Sequence, residues 1–223
     1  MKALHRNSLS LVFGALFLAT LAGQSVAGLL EYNEDARAHG EGAISYGAYL
    51  LSTQFGAAVL ENWQSEYLQF SLYVFATIWL VQRGSNESKR IDRAGFESDE
   101  DQLVGPHTRP DSPAWARAGG WRTHVYSNSL LLAMLVIFLA SWAGQSVNGW
   151  RAYNETQRAH DQGVVSWTGY LGRPDFWEST LQNWQSELLA VGTIVVFSIY
   201  LRQRGSPESK PVGAPHSETG SSG

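Results

Sequence analysis

The chain of 223 residues contains no cysteine. This absence excludes disulfides, thiolate catalysis and zinc or iron–sulfur sites with cysteine ligands. Basic residues are also few, 16 against 20 acidic residues, and the net charge of −4 argues against a general nucleic-acid-binding protein. The sequence lacks nucleophile-elbow, phosphate-loop, zincin and kinase motifs. These absences favour a function without catalysis, and we predict no catalytic residue.

The six histidines do not have the spacing of a metal or haem site. Neither His-x3-His nor Glu-x2-His occurs, although helical carboxylate–histidine metal sites use such spacings. No histidine lies within the core of an apolar run, so a b-type haem has no candidate axial ligand. The sequence therefore predicts no cofactor and no bound metal.

The chain contains an internal repeat, which is the first feature to establish because it determines the fold class. A shift of 121 residues aligns 7–89 with 128–210 without a gap, and 41 of the 83 aligned pairs are identical. Asn62-Trp63-Gln64-Ser65-Glu66 returns unchanged at 183–187. Polar residues that both copies keep in an apolar setting are therefore the first candidates for a functional or structural role.

Each copy contains two apolar runs. The first runs, 7–30 and 127–150, are long enough to cross a bilayer, which needs about 20 residues. The start of the chain resembles a signal peptide, with Ser25-Val26-Ala27 as the cleavage site, but its recurrence deep inside the chain argues against cleavage. The second runs reach the required length only with the preceding motif included, which gives spans of 62–82 and 183–203.

These spans predict an all-α membrane protein with four transmembrane helices, arranged as two parallel helical-hairpin repeats with pseudo-twofold symmetry. Gly42 and Gly163 are the predicted ends of the first and third helices, and Thr53 and Pro174 the predicted starts of the second and fourth. The predicted division of the chain is repeat 1 at 1–90, a cytoplasmic linker at 91–123, repeat 2 at 124–210 and a disordered tail at 211–223.

The distribution of lysine and arginine predicts the orientation of these helices. The N-terminus, the linker and the tail hold 12 of these residues, whereas the two interhelical segments hold four. Because positively charged segments stay in the cytoplasm, both termini and the linker are predicted to be cytoplasmic. The interhelical segments are then external.

A polar layer is predicted near the outer face. With a helical rise of about 1.5 Å per residue, Gln24 and Glu66 lie at the same depth, roughly 25–27 Å above the cytoplasmic edge. With the second copy and the asparagines one turn above, the layer consists of Gln24, Glu66, Gln145, Glu187, Asn62 and Asn183. It predicts a site for a cation, proton or polar ligand in a small transport, channel or ligand-sensing module. The alternative is a set of interhelical hydrogen bonds that holds the bundle together.

The histidines that both copies keep form a second candidate site. His39 and His160 each follow a tyrosine, Tyr32 and Tyr153, by seven residues, so each pair lies on one helix face. With neighbouring glutamates they suggest metal binding or pH sensing. The alternative is an exposed histidine near the last turn of a helix, where a positive charge is favourable.

Four stretches together resemble a family of small bacterial integral membrane proteins with no assigned function: Gly23–Val26, 61–70, 98–105 and 181–187. The likeness runs from end to end. It implies a multi-pass protein of the bacterial inner (plasma) membrane and implies no activity. The lipid bilayer is the predicted partner. In an alternative function, a structural or accessory protein binds partner proteins, or further copies of itself, through its external segments or linker.

Overall fold

The structure is a computed structural model that describes residues 5–220. Regular secondary structure in this part of the chain is entirely helical, which confirms the all-α prediction. Two single 3-10 turns, Ile91–Arg93 and Gly105–His107, lie in the linker. The helices in chain order are α1 (Ser8–Ala38), α2 (Tyr46–Leu50), α3 (Thr53–Ala76), α4 (Ala114–Arg117), α5 (Gly120–Ser127), α6 (Ser129–Ala159), α7 (Trp167–Leu171) and α8 (Pro174–Tyr200).

The chain divides into two compact units that each draw on both halves of the sequence. Unit 1 consists of the residues up to Leu60 together with Gly144–Gly172. Unit 2 consists of Glu61–Ala143 together with the residues from Arg173 onward. The boundaries of the units therefore do not coincide with those of the predicted repeats.

Within residues 5–220, two helices, α1 and α6, are long and apolar enough to cross a membrane. Large apolar side chains along the first half of α1 are exposed, among them Leu9, Phe13 and Leu18. The helices α3 and α8 have 24 and 27 residues, but each contains the Asn-Trp-Gln-Ser-Glu motif, which makes it more polar. Four spans therefore stay a prediction.

The helix α3 begins at Thr53 as predicted but ends at Ala76, six residues before the predicted end at position 82. Helical bonds continue for one more turn, to the N–H of Leu80, and beyond it the backbone bonds to segments outside the helix. The N–H of Gly95 donates to the carbonyl of Ile78, and the N–H of Gln82 donates to Ser88 Oγ, each at 2.7 Å. The prediction from the charge-free run was wrong because these tertiary bonds replace helical ones.

The helices α1 and α6 end four residues before the predicted stops, Gly42 and Gly163. Gly40 and Asp161 instead hold the left-handed position after the helix, with φ of 76° and 54°. A hydrogen bond of 2.7 Å from the following N–H closes each end, as in a Schellman motif. The prediction was wrong because Asp161 does in the second copy what a glycine does in the first.

In unit 1 a buried asparagine of each long helix holds the loop that follows that helix. Asn33 donates from Nδ2 to the carbonyl of Ile44 at 3.1 Å and accepts from the Ile44 N–H at 2.8 Å. Asn154 makes the same two bonds to Val165, both at 2.9 Å. These bonds satisfy a buried amide on both sides and fix the path of each loop.

The short helices α2 and α7 begin after Ser45 and Ser166, whose hydroxyl oxygens accept from the backbone three residues later at 3.3 and 3.1 Å. Serine is a preferred N-cap because it satisfies an N–H that has no helical partner. An ideal Cβ on Gly149 would lie 2.7 Å from the hydroxyl of Tyr170 on α7. Only glycine therefore allows this tyrosine to pack so closely against α6.

In unit 2 the stretch Gln-Arg-Gly-Ser-x-Glu-Ser-Lys forms two similar turns, at 82–89 and 203–210. The backbone N–H of the first residue donates to the hydroxyl of the second serine, at 2.7 Å in one copy and 2.9 Å in the other. Gly84 and Gly205 have φ of 86° and 84°, which favours glycine at both positions. The motif is therefore a defined turn and not only the end of a helix.

The lysine that ends the second turn, Lys210, is buried, with 1% of its surface exposed. Its Nζ donates to four backbone carbonyls at 2.6–3.2 Å, those of Gly84, Pro215, His216 and Glu218. Burial lowers the pKa of Lys210 below its ordinary value. Composition predicts disorder at 211–223, and the structure differs from this over 211–220. Residues 221–223 lie outside the described part of the chain.

Candidate functional site

Two residues of the predicted polar layer, Gln24 and Gln145, belong to unit 1. Gln24 is exposed on α1, whereas Gln145 is buried on α6. The buried polar side chain of α1 at this level is Ser25, whose hydroxyl lies 2.7 Å from the hydroxyl of Tyr46. The equivalent Ser146 accepts a hydrogen bond from Trp167 Nε1 at 3.2 Å. The serine after each glutamine therefore joins a long helix to the short helix that follows it, α1 to α2 and α6 to α7.

The two glutamates of the layer belong to unit 2. Glu66 is exposed and Glu187 is half-buried, and the two are close enough to interact electrostatically. The backbone carbonyl of Glu187 accepts from Gln69 Nε2 at 3.3 Å. Because α3 ends ten residues after Glu66, helical rise accounts for about 15 Å of its depth and not for the 25 Å predicted.

The two copies of the Asn-Trp-Gln-Ser-Glu motif meet in unit 2 through different residues. Gln64 is fully buried, and its Oε1 accepts from Trp184 Nε1 at 2.7 Å. Asn183 donates from Nδ2 to Glu61 Oε1 at 2.7 Å, whereas Asn62 is exposed. Trp184 of α8 is thus a hydrogen-bond donor to α3.

An aromatic cluster surrounds this bond. The ring of Trp142 on α6 lies 5.9 Å from that of Trp184 and stacks on that of Phe138 at 5.7 Å. Trp142 Nε1, Gln64 Nε2 and Thr180 Oγ1 are buried and have no hydrogen-bond partner within residues 5–220. Each unsatisfied group costs free energy, so the cluster is held by its aromatic packing.

A pocket of about 300 Å³ lies in unit 1, where α1 and α6 end. The helices end there because of the left-handed residues Gly40 and Asp161. Both candidate histidines line this pocket, together with carboxylates from α1, α6 and the loop after α1. The lining side chains that carry its chemistry are Tyr32, Asp35, His39, Glu41, Gln54, Glu155 and His160.

The two histidines have matching hydrogen bonds. Nδ1 of His39 lies 2.9 Å from the carbonyl of Asp35, and Nδ1 of His160 lies 2.9 Å from that of Thr156. Since a carbonyl only accepts, the neutral ring carries its proton on Nδ1, and Nε2 is the atom that takes up a second proton. The ring centroids are 6.4 Å apart, with the rings edge to face. His39 Nδ1 also lies 3.5 Å from the carboxylate of Asp35.

The carboxylate of Glu155 is positioned by α3. Its Oε2 accepts from Thr53 Oγ1 at 2.9 Å and from Gln54 Nε2 at 3.5 Å. Tyr153, the fourth residue of this predicted site, does not line the pocket. Its ring lies 5.7 Å from that of Tyr170, and its hydroxyl accepts from Gln157 Nε2. The structure thus brings Tyr32, His39 and His160 together, whereas Tyr153 packs against α7.

Comparison between the copies did not identify three lining residues, Asp35, Glu41 and Gln54. Their equivalents in the second copy are a threonine, a glutamine and an aspartate, so the residue types are not kept. Their only signal is closeness to His39 in the sequence, or to the start of α3. Within the described residues, no group of three or more histidine, aspartate or glutamate side chains has an arrangement that could hold a metal ion.

Residues 1–221 match a family described as a domain of unknown function, DUF6766. The chain belongs to this family. The match covers nearly the whole chain and confirms the resemblance to a family without an assigned function. No curated protein and no solved structure matches the chain.

Proposed function

We propose that this chain is a four-span protein of the bacterial inner membrane that responds to external protons through the pocket of His39 and His160. The observation that carries the proposal is the placing of both kept histidines in one pocket with three carboxylates. Histidine is the side chain whose charge ordinarily changes between about pH 5 and pH 8. The exposed apolar surface of α1 and the predicted orientation support an external position for this pocket.

Protonation changes the charge of the pocket from −3 to −1. The three carboxylates, those of Asp35, Glu41 and Glu155, supply −3, and two protonated imidazoles add +2. At the observed ring separation of 6.4 Å, the two positive charges repel each other by roughly 0.6–2.6 kcal/mol for effective dielectric constants of 80 to 20. The carboxylate of Asp35, which lies 3.5 Å from His39 Nδ1, offsets part of this repulsion.

The position of the histidines connects proton uptake to the helices. His39 is the C-cap of α1, and His160 directly follows α6. A positive charge at a helix C-terminus interacts favourably with the helix dipole. Protonation of both histidines therefore places a favourable positive charge at each helix end. Glu155 lines the same pocket and accepts from Thr53 at the start of α3, so a change there can reach a third helix.

The natural lack of cysteine permits a direct test. Val164, exposed in the loop after α6, is changed to cysteine and labelled with an environment-sensitive fluorophore in nanodiscs. We expect a fluorescence transition between about pH 5 and pH 8, because the loop ends at the histidine pocket. His39→Gln with His160→Gln should abolish it. His107→Gln, which changes an exposed linker histidine, is the matched control and should leave it intact.

Two results would refute the proposal. One is a transition that persists with unchanged midpoint and amplitude in the double variant. The other is access of a membrane-impermeant quencher to the label from the cytoplasmic side only, in oriented membranes. That second result would place the pocket in the cytoplasm and reverse the predicted topology.

For the predicted polar layer, we propose a structural role and not a transport function. Two side-chain bonds, Trp184 to Gln64 and Asn183 to Glu61, join α8 to α3 in unit 2. Interhelical hydrogen bonds of this kind hold membrane helices together. In this interpretation, Gln24, Glu66, Gln145, Glu187, Asn62 and Asn183 are determinants of assembly and carry no cargo.

A further inference from the structure

Unit 2 contains an apolar groove of about 340 Å³ between the second half of α3 and α8. Most of its lining is aliphatic: Leu72, Ala76, Leu80, Leu188, Val191 and Val195. Leu72, Leu80 and Leu188 are exposed, so the groove is open along the sides of the helices. A groove of this size and lining suits a hydrocarbon chain.

One end of the groove adjoins a second, charged pocket. Thr77, Glu87 and Ser88 line the groove and also line a pocket of about 540 Å³. The other side of that pocket carries three basic side chains, those of Lys89, Arg90 and Arg93. The apolar groove therefore leads directly into a basic pocket. Together, the groove matches the tail of an amphiphile and the pocket matches its phosphate.

The ion pairs of the basic pocket leave one cation for a ligand. Lys89 pairs with Glu97 at 3.0 Å, and Arg90 pairs with its neighbour Asp92 at 3.0 Å. The bond from Lys89, followed by one from Gln102, lowers the pKa of Glu97, which stays charged. Arg93 is exposed and makes no direct ion pair within the described part of the chain, although its charge acts at longer range on Asp92 and Asp101. Its guanidinium has the geometry to bind a phosphate.

An acceptor without a partner lies between the groove and the basic pocket. Glu87 accepts a hydrogen bond from the hydroxyl of Tyr73 through Oε2. Its other oxygen, Oε1, is buried and has no hydrogen-bond partner within residues 5–220. A buried carboxylate oxygen without a donor is costly, so the site favours a ligand that brings a donor or a positive charge.

We propose that this site binds one phosphatidylethanolamine molecule, with its phosphate at Arg93, its ammonium at Glu87 and an acyl chain in the groove. The primary ammonium donates hydrogen bonds, whereas the quaternary ammonium of phosphatidylcholine cannot. Phosphatidylglycerol offers a hydroxyl donor but adds no positive charge to complement Glu87. The site therefore discriminates lipids by their headgroups. This inference depends on the membrane location of the chain and not on the histidine pocket.

The test is native mass spectrometry of the purified chain with an equimolar mixture of phosphatidylethanolamine, phosphatidylcholine and phosphatidylglycerol. We expect the first lipid to be retained about tenfold over the second, since a hydrogen bond to a charged group contributes enough for that factor. Glu87→Gln should bring the ratio close to one. Glu178→Gln is the control, because Glu178 is an exposed glutamate of α8 that lines neither the groove nor the basic pocket. Arg93→Gln should weaken retention of all three lipids.

Equal retention of phosphatidylethanolamine and phosphatidylcholine would overturn the proposal. A preference that Glu87→Gln leaves unchanged would also overturn it, as would preferential retention of phosphatidylglycerol. If Glu87→Gln fails to fold, Ala76→Phe provides a second variant, because its ring fills the groove without removing a charge. Lipid retention by Ala76→Phe at the level of the parent chain would likewise contradict the assignment.

Discussion

The two copies of Asn-Trp-Gln-Ser-Glu have the same sequence but different surroundings. In the first copy Gln64 is fully buried and accepts a hydrogen bond from the tryptophan of the second copy. In the second copy Gln185 is exposed, and Trp63 of the first copy keeps 37% of its surface exposed. Identical segments thus contribute opposite partners to one contact, an acceptor from α3 and a donor from α8.

The loops after α1 and α6 behave differently, because both copies make the same asparagine and serine bonds there. Asn33 and Asn154 each hold a loop, and Ser45 and Ser166 each cap a short helix. These bonds are local, with partners 3 or 11 residues apart in the same copy. The difference teaches that a repeat reproduces contacts within a copy more faithfully than contacts between copies.

The largest effect should come from the buried glutamine. Gln64→Ala leaves the Trp184 N–H buried without an acceptor and creates a cavity, which together should cost about 2–4 kcal/mol of unfolding free energy. Gln185→Ala, at the exposed equivalent, should change it by less than about 0.5 kcal/mol. Denaturant unfolding in detergent micelles measures both. Equal losses for the two variants would remove the contrast between the copies.

A smaller contrast is expected between the two lysines that end the repeated turns. Lys210→Met deprives one buried and three partly buried carbonyls of their donor and should cost about 2 kcal/mol or more. Lys89→Met removes a partly exposed ion pair with Glu97 and should cost at most about 1 kcal/mol. Thermal unfolding of the two variants ranks them. A larger loss for Lys89→Met would show that the carbonyl contacts of Lys210 contribute little.

The smallest effects are expected from the N-cap serines, and they should be equal in the two copies. Ser45→Ala and Ser166→Ala each remove an N-cap, which typically costs about 1 kcal/mol. Hydrogen exchange of the α2 and α7 amides reports the local loss. Ser45→Thr and Ser166→Thr keep the acceptor and are the controls. Markedly unequal losses would mean that the caps of α2 and α7 have the same geometry but contribute different free energies.

The sequence predicted features that depend on local chemistry. The start of α3 at Thr53 follows from the preceding Ser52, whose Oγ accepts from the backbone N–H three residues later at 3.2 Å. The start of α8 follows from the fixed φ of Pro174. The comparison between copies singled out His39 and His160, but it did not predict that they would line one pocket. The helix starts were predictable because a few neighbouring residues carried the necessary information.

Features that depend on contacts between distant segments were not predicted. The early end of α3 requires Gly95, which is 17 residues beyond Ile78, to return and bind its carbonyl. The order of 211–220 requires Lys210 to gather carbonyls from two segments. A composition rich in serine, glycine and proline gives no sign of this, because the stabilising group lies outside the tail itself.

The division of the chain into units has a consequence for the timing of biogenesis. Unit 1 is closed by bonds such as that between Thr53 and Glu155, which are 102 residues apart. At ribosomal speeds of about 5–20 residues per second, the first segment waits roughly 5–20 s for its partner. During that interval the segment up to Leu60 is without the rest of its unit. Its side of the contact, including the Thr53 hydroxyl, stays exposed until Glu155 has been synthesised.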